Sequence, residues 1–235
     1  MKTVNVSTAF LEVGVARSVV ADGYAFLRRF EPRLTSREAF QALGLVDEVE
    51  GLRPVQTLTP QHIYDAPPNT YSGNFGVAEF PLHSDLAHWA IPPRYLALRC
   101  VCGSQVVSTR LLDGRELISA LTPELLQMTL VQPRRPLRNG KQLLRILERS
   151  GTLNLWRIRW DSVYLKPANE FASNVVSKCF AVLSAARAQE IFLREPGDTL
   201  LIDNWRYLHG RSAVTAPEIQ LRTIDRAYMG AFNEQ

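Results

Sequence analysis

The chain has 235 residues, of which 46% are hydrophobic and 21% are charged, and its net charge at pH 7 is +4. No apolar stretch approaches the roughly 18 residues of a membrane-spanning helix, and residues 1–20 lack the pattern of a secretory signal. The three cysteines are an odd and sparse set, which argues against a disulfide framework and for a reducing compartment. We therefore expect one cytoplasmic domain over residues 1–235, with a helical part at about 1–50 and a barrel core at about 60–230.

Residues 7–43 carry the first predicted elements, which are two short helices. Apolar side chains recur at helical spacing through this stretch, and Ser36 is a start signal for the second helix. Residues 60–80 are instead rich in proline, glycine, asparagine and tyrosine, which is typical of a loop. A long ordered loop is more often a binding element than a connector, so we expect these residues to contribute to a site.

Two strands are predicted next, over residues 94–102 and 105–112. The intervening pair, Gly103 and Ser104, is typical of a tight turn, so we expect these strands to form a hairpin. Residues 113–130 then have a helical pattern that contains a second helix-start signal.

The second half of the chain contains most of the remaining predicted strands. Residues 156–160 alternate apolar and basic side chains, which predicts a strand with one wet face. An amphipathic helix is predicted over 174–189, and strands follow at 199–202, 206–211 and 220–229. Many short strands with a few outer helices predict a mainly β fold with flanking helices, of barrel or jelly-roll type.

His83 and Asp85 are the first candidate metal ligands. Residues two apart on a strand project to the same side, so both side chains can reach one ion. This triplet is a weak signal by itself, but His209 lies in a β-rich stretch near the end of the chain and can supply a third ligand. Two histidines and one carboxylate leave the opposite face of an octahedral ion open, which suits non-haem Fe(II) oxygenases. We predict that these three residues are the metal ligands and the catalytic centre.

Arg222 is a candidate anion-binding residue beside this centre. If the turn of the last predicted hairpin centres between Thr215 and Ala216, His209 lies directly opposite Arg222, with Cβ atoms about 4.5–5.5 Å apart. An arginine next to a metal-binding histidine is explained by a metal-bound anion whose far carboxylate pairs with the guanidinium. The alternative is an arginine paired with a surface acid.

Five sequence motifs follow one another in a fixed order between Tyr71 and Met229. They are His83-Ser84-Asp85, Pro92-Pro93, Thr109 ahead of Asp113-Gly114, residues 203–211 ending in His209-Gly210-Arg211, and Arg222 to Arg226. In order and spacing they resemble the taurine dioxygenase/clavaminate synthase-like superfamily, although Val107-Ser108 stands where that family often has two glycines. The resemblance implies a double-stranded β-helix core of the jelly-roll, cupin-like kind, and Fe(II) bound by His83, Asp85 and His209. It also implies that Thr109 and Arg222 hold 2-oxoglutarate.

The activity that the resemblance implies is that of an Fe(II)- and 2-oxoglutarate-dependent dioxygenase. Such an enzyme uses O₂ to decarboxylate 2-oxoglutarate to succinate and CO₂ while it oxidises a second, small organic substrate. Hydroxylation is the expected outcome, although desaturation or ring closure would use the same site. An amino acid or another anionic metabolite would fit an arginine-rich pocket.

Candidate substrate contacts come from the loop before the metal motif and from the last strand. In the family, the arginine at the position of Arg226 lies near the substrate or supports the co-substrate. Tyr71, Asn74 and Phe75 precede the metal motif and are our other substrate-binding candidates. His88 lies three residues after Asp85, so on a regular strand it would point away from the site and have a structural role.

Two other classes of function compete with this prediction. One is a metal-binding cupin-like isomerase or sensor without redox chemistry, in which Arg222 would have no effect on 2-oxoglutarate binding. The other is a nucleic-acid oxygenase, suggested by the basic excess and by a stretch of five basic residues at positions 134, 135, 138, 141 and 145. Because no aromatic side chains are interleaved with these residues, we expect a solvated basic loop rather than a nucleic-acid partner.

Overall fold

The computed structural model describes residues 8–135, 142–151 and 155–233, with the side chains described from residue 14 onward. Its helices are α1 (Thr8–Asp22), α2 (Ser36–Leu43), α3 (Tyr71–Phe75), α4 (Arg115–Leu121), α5 (Pro123–Met128), α6 (Glu170–Ala185) and α7 (Glu218–Leu221). Its strands are β1 (Tyr24–Leu27), β2 (Gly44–Val46), β3 (Gln56–Leu58), β4 (Phe80–His83), β5 (Tyr95–Cys102), β6 (Ser108–Asp113), β7 (Leu130–Pro133), β8 (Leu144–Arg145), β9 (Leu147–Arg149), β10 (Trp156–Ile158), β11 (Leu165–Pro167), β12 (Gln189–Phe192), β13 (Thr199–Asp203), β14 (Tyr207–Arg211) and β15 (Thr223–Phe232). The predicted mainly β fold with helices is confirmed.

Two antiparallel sheets form the centre of the structure. The larger sheet has the strand order β1-β13-β5-β15-β2, and β3 also pairs with β15. The smaller sheet has the order β12-β6-β14-β4. Two minor sheets, β11-β7-β8 and β10-β9, lie outside this pair.

The alternation of side chains along β5 shows how the layers pack. Leu96 and Leu98 belong to one apolar cluster that also contains Leu111 of the smaller sheet, so this face of the larger sheet is turned toward the smaller one. Tyr95 and Ala97 point the other way and share a second cluster with α1 and α2. The opposite face of the smaller sheet packs against α4, α5 and α6 in a third cluster. The two central sheets therefore enclose an apolar core and are covered by helices on both outer faces.

The two predicted hairpins are wrong, because in each case the two strands belong to different sheets. β5 lies in the larger sheet and β6 in the smaller one. Between them, Gly103 packs so closely against the Arg194 carbonyl that a side chain would have no room. The final pair, β14 and β15, is separated in the same way, and residues 212–222, which include α7, form the crossover. Arg222 is consequently not the cross-strand partner of His209.

The predicted wet face of residues 156–160 is also wrong. Arg157 and Arg159 are only 6% and 1% exposed. Both donate to Glu148 on the neighbouring strand β9, at 2.7 Å from Arg157 Nη2 and 2.8 Å from Arg159 Nη2 to Oε1. Arg159 also donates to the carbonyls of Ala87, Trp89 and Ala90 and so holds the loop that follows β4. The basic side chains are buried because this ion network and these carbonyls satisfy them.

Replacing Glu148 with alanine is expected to destabilise the fold by about 2–4 kcal/mol. Removing one partner of a buried ion pair costs roughly 3–5 kcal/mol because the remaining charge is left buried, and the partial exposure of Glu148 reduces this value. Urea unfolding of the variant measures the loss, with Glu116→Ala on the exposed face of α4 as the matched control. A loss of less than about 0.5 kcal/mol, the usual effect of a surface substitution, would contradict a structural role for this network.

Two further sequence expectations concern the surface. Among the described residues, no helix is long and apolar enough to cross a membrane. In the basic stretch, Arg134, Arg135 and Arg145 are exposed, whereas Arg138 and Lys141 lie outside the described residues.

Candidate active site

His83 and His209 are brought together by the pairing of β4 with β14. Each is the direct cross-strand partner of the other, and their ring centroids are 4.4 Å apart. Both residues are 7% exposed. Leu82 and Leu208 point to the opposite face of the sheet, so the two histidines point inward by the ordinary alternation of strands.

Asp85 lies just beyond the end of β4 and is held there through its backbone. Its amide donates to Asn204 Oδ1 at 2.7 Å, and Asn204 Nδ2 donates to its carbonyl at 3.0 Å. The side chain is thereby directed at the histidine pair, with Oδ1 lying 3.4 Å from His83 Nε2 and 3.5 Å from His209 Nε2. The potential ligand atoms of the three residues all lie within 4.8 Å of one another. The structure therefore brings together the three predicted metal ligands.

The protonation chemistry of this trio suits a divalent metal ion. His83 Nδ1 lies 2.9 Å from the Pro81 carbonyl. Because a carbonyl only accepts, Nδ1 carries the hydrogen and Nε2 offers its lone pair to an ion. Burial opposes ionisation of Asp85, but Arg226 and the two histidines outweigh it and hold the pKa of this carboxyl well below its usual range. Two imidazole nitrogens and one carboxylate oxygen form a donor set that fits Fe(II).

The second oxygen of Asp85 is anchored by β15. Arg226 Nη1 and the Tyr228 hydroxyl each donate to Asp85 Oδ2 at 3.0 Å. The two carboxylate oxygens therefore have different contacts: Oδ1 faces the histidines, and Oδ2 accepts hydrogen bonds from two donors. Tyr228 was not among the residues predicted from the sequence. The period of two along β15, which places positions 224, 226 and 228 on one face, is the signal that could have found it.

Replacing Tyr228 with phenylalanine is expected to weaken divalent metal binding by about 10-fold, because outer-shell partners of metal ligands are typically worth 10- to 100-fold in affinity. The loss stays at the lower end because Arg226 still holds Oδ2. Titration with Mn(II), an inert surrogate for Fe(II), measures the effect. Tyr64→Phe is the control, since Tyr64 is 82% exposed. Equal affinities in the two variants would show that Tyr228 does not position Asp85.

A cavity of about 600 Å³ opens between the two central sheets, and the trio lies in its wall. The smaller sheet contributes Thr109, His209 and Arg211 to the lining, while Ile224 and Tyr228 of the larger sheet face them. Both strands that the sequence predicted as a hairpin therefore reach the same cavity from opposite sheets.

Arg222 lies in the same cavity wall as the trio although it is not paired with His209. It is 8% exposed, and its side chain has no hydrogen bond or ion pair with another described residue. Burial lowers the pKa of Arg222 to about 10, so the guanidinium remains charged at neutral pH. Arg211, also in the wall, donates to the carbonyls of Gly76 and Ala78 at 2.9 and 2.8 Å. Arg222 is therefore a buried cation without a counter-charge in the described residues.

The polar atoms of the cavity wall are incompletely satisfied. Within the described part of the chain, the buried side-chain polar atoms that lack a hydrogen-bond partner belong to five residues, all of which line this cavity. They are Tyr71 Oη, His88 Nδ1, His209 Nδ1, Arg222 Nε and Arg226 Nε. Since buried polar groups in folded proteins are nearly always hydrogen-bonded, this concentration marks the cavity as a ligand site.

Only some of the predicted substrate-binding residues line the cavity. Tyr71 lines the cavity and stacks on His83 with ring centroids 4.0 Å apart. Asn74 and Phe75 do not line it. Asn74 Nδ2 donates to the Thr70 carbonyl within the same turn, and the Phe75 ring packs 6.2 Å from that of Phe80. These two residues shape the loop instead, because α3 turns only one side of its short length toward the cavity.

His88 points into the cavity, so the expectation that it faces away is wrong. The expectation assumed a regular strand after Asp85, whereas β4 ends at His83 and Leu86 has a positive φ of 52°. This left-handed residue turns the chain and brings His88 to the side of the trio. Burial lowers the pKa of His88, and the charge of Arg159 lowers it further, so its ring is neutral at pH 7.

Comparison with known proteins finds similar structures but no matching sequence family. Neither a protein-family model nor a curated protein sequence matches this chain. Solved structures that are similar over nearly its whole length include three oxygenases. Asparagine oxygenase, solved with Fe(II), (2S,3S)-3-hydroxyasparagine and succinate, matches with a TM-score of 0.69 and 19% identity over 94% of this chain and 79% of that one.

The other two are also oxygenases. OrfP, a non-haem iron oxygenase solved with Fe, succinate and (3S)-hydroxy-L-arginine, matches with a TM-score of 0.63 and 17% identity over 94% of this chain and 79% of its own. PvcB, an Fe- and 2-oxoglutarate-dependent oxygenase from an isonitrile synthetic pathway, has a TM-score of 0.62 and 18% identity over 98% of this chain and 85% of its own. This chain shares the fold of these oxygenases. The resemblance predicted from the motifs is thus confirmed at the level of the fold.

Proposed function

We propose that this chain is an Fe(II)- and 2-oxoglutarate-dependent oxygenase that hydroxylates a small molecule. We further propose that this substrate is an amino acid. The observation that carries the proposal is the joining of two features in one cavity. The His83, Asp85 and His209 trio supplies a metal donor set, and Arg222 supplies a buried cation without a partner. A metal-chelating ligand with a second carboxylate at its far end would satisfy both, and 2-oxoglutarate has this chemistry.

The solved structures with this fold support the amino-acid class. Asparagine oxygenase and OrfP were solved with hydroxylated asparagine and arginine, respectively. The double-stranded β-helix arrangement of the two central sheets, a single domain over residues 1–235 and a cytoplasmic location belong to the same proposal. The two facing antiparallel sheets and the small number of cysteines support them.

The roles of the individual side chains follow from their positions. His83, Asp85 and His209 would hold Fe(II), which when bound supplies the activation of O₂ that is coupled to decarboxylation of 2-oxoglutarate. Arg222 would pair with the distal carboxylate of 2-oxoglutarate. Thr109, which lines the cavity and is 4% exposed, would donate its hydroxyl to the same ligand.

Two further groups would act on the metal ligands and the substrate. Arg226 keeps Asp85 ionised and fixed, and its place in the cavity wall also allows contact with a substrate. Tyr71, stacked on His83, excludes water from one side of the metal site and presents its hydroxyl to the cavity.

The direct test is release of succinate from 2-oxoglutarate by the purified protein with Fe(II). A panel of amino acids, sulfonates and biosynthetic intermediates should contain compounds that stimulate the release and that gain one oxygen atom by mass spectrometry. A parallel thermal-shift experiment with Mn(II) should show stabilisation by 2-oxoglutarate that depends on the metal. Absence of any response to 2-oxoglutarate would favour the cupin-like isomerase or sensor instead.

A nucleic-acid substrate is disfavoured by the position of the basic stretch. Arg134, Arg135 and Arg145 are exposed and are absent from the lining of the cavity that holds the trio. We therefore propose a small-molecule substrate. Oligonucleotide binding that disappears at moderate salt and does not affect succinate release would agree with this choice.

A further inference from the structure

Asp161 is a buried carboxylate in the same cavity that the proposed chemistry does not use. It is 5% exposed and lines the cavity together with the trio. It follows Trp160, whose amide donates to Ser84 Oγ at 3.0 Å and whose carbonyl accepts from the Ser84 amide at 2.8 Å. Since Ser84 lies between His83 and Asp85, these bonds fix Asp161 beside the proposed metal site.

The two oxygens of Asp161 have different surroundings. Oδ1 accepts the backbone amides of Val163 and Tyr164, both at 2.7 Å, and so closes a tight turn. The hydroxyl of Tyr71 lies next to the carboxylate, which has no Lys or Arg partner among the described residues. A cationic group of a bound ligand would supply the counter-charge that this buried carboxylate lacks.

Aromatic side chains complete the surroundings of Asp161. Tyr71 and Tyr164 line the cavity and meet edge to face, with ring centroids 5.9 Å apart. The Tyr71 hydroxyl is buried beside Asp161, and burial together with the negative charge of that carboxylate raises the pKa of Tyr71. A carboxylate next to the faces and hydroxyls of tyrosines is the environment that binds organic ammonium ions.

We propose that Asp161 binds an ammonium group of the primary substrate, so that substrates of this protein carry a primary amine. The inference rests on the proposed function, because it assigns a place to the substrate of that reaction. The ammonium would pair with Oδ2 between Tyr71 and Tyr164. Tyr71 contacts His83 with its ring and Asp161 with its hydroxyl end, so a carbon close to the ammonium would lie near the metal. An amino acid hydroxylated close to its amino group has this chemistry.

The test uses Asp161→Asn, which keeps Oδ1 for the two backbone amides and removes only the negative charge. Succinate release is measured with Fe(II), 2-oxoglutarate and pairs of compounds, each an L-amino acid and the 2-hydroxy acid of the same skeleton. The wild-type protein should be stimulated by amino acids and not by their hydroxy acids. In the variant, the KM for the amino acid should rise about 10- to 100-fold, the loss expected for one hydrogen-bonded charge pair. Asp65→Asn, an exposed carboxylate outside the cavity, is the matched control.

Two outcomes would overturn the inference. One is an unchanged KM for the amino acid in Asp161→Asn, and the other is stimulation of the wild-type protein by hydroxy acids as strongly as by amino acids. Either would leave 2-oxoglutarate binding and succinate release intact, whereas failure of the proposed function would abolish both in the wild-type protein. The Mn(II) and 2-oxoglutarate affinities of Asp161→Asn should stay within about twofold of wild type, which separates lost substrate recognition from misfolding.

Discussion

Replacing His83 with alanine should abolish Fe(II) binding and with it succinate release. His83 is the proposed ligand whose Nε2 lone pair is set by the bond from Nδ1 to the Pro81 carbonyl, and only two of the proposed protein ligands would remain without it. Outer-shell partners of metal ligands are already worth 10- to 100-fold in affinity, so loss of a direct ligand should weaken binding by more than about 100-fold. Mn(II) titration and succinate release measure the two effects separately.

The control for this variant is His62→Ala. His62 stacks on Tyr64 with ring centroids 5.3 Å apart and is not part of the cavity lining. Its replacement should leave both metal affinity and turnover unchanged. Circular dichroism of His83→Ala tests whether the fold survives the truncation of a buried ring. Turnover in a folded His83→Ala protein would exclude His83 from the metal site and refute the proposed function.

The pair His83 and Asp85 of the proposed metal site could be predicted from the sequence because it depends on a local rule. His83 and Asp85 lie two residues apart in the chain, and the alternation of β4 directs His83 to the inner face of its sheet. His209, its cross-strand partner, was instead placed by its position in the order of the motifs. The start of α2 also followed from local pattern, because Thr35 caps this helix through a reciprocal bond with Glu38, whereas β1 (Tyr24–Leu27) lies in a stretch that was predicted to be helical. Such local features are determined by a few neighbouring residues and can therefore be predicted without knowledge of the whole fold.

Strand pairing could not be predicted in the same way, because it depends on contacts between distant residues. Gly103 suits a hairpin turn, but its close approach to Arg194 serves a crossover between sheets. The predicted proximity of His209 and Arg222 is therefore correct only in the sense that both reach one cavity, from sheets that face each other. The direct pairing of His209 with Arg222 was inferred from a hairpin turn near residue 215, where the chain instead crosses from one sheet to the other.

Three side chains of the site were hidden from sequence reasoning for specific physical reasons. His88 was assigned to the wrong side because a single positive φ at Leu86 cannot be read from a leucine. Tyr228 has the pattern of an ordinary core tyrosine; the period of two along β15 places it on the face of Arg226, and its bond to Asp85 shows its part in the site. Asp161 directly follows the stretch 156–160 and had no predicted role, whereas the bonds between Trp160 and Ser84 hold it beside the proposed metal ligands.

Replacing Arg222 with methionine should separate the function of this residue from the stability of the fold. A buried arginine without a counter-charge costs the folded state desolvation free energy, and an apolar side chain of similar length removes that cost. The variant without ligand should therefore melt at the same temperature as the wild-type protein or a higher one. Arg37→Met, on the exposed surface of α2, controls for the loss of one positive charge.

The same variant should lose affinity for 2-oxoglutarate by roughly 30- to 1000-fold, because truncating one member of a buried charge pair costs about 2–4 kcal/mol. Arg222→Lys keeps the charge but not the planar fork, so its affinity should lie between those of the methionine variant and the wild-type protein. Thermal shift in Mn(II) with increasing 2-oxoglutarate measures both. A methionine variant that is strongly destabilised without ligand, yet binds 2-oxoglutarate normally, would make Arg222 a structural residue. Higher stability without ligand together with lost 2-oxoglutarate binding is the signature of a charge held in the cavity for an anionic co-substrate.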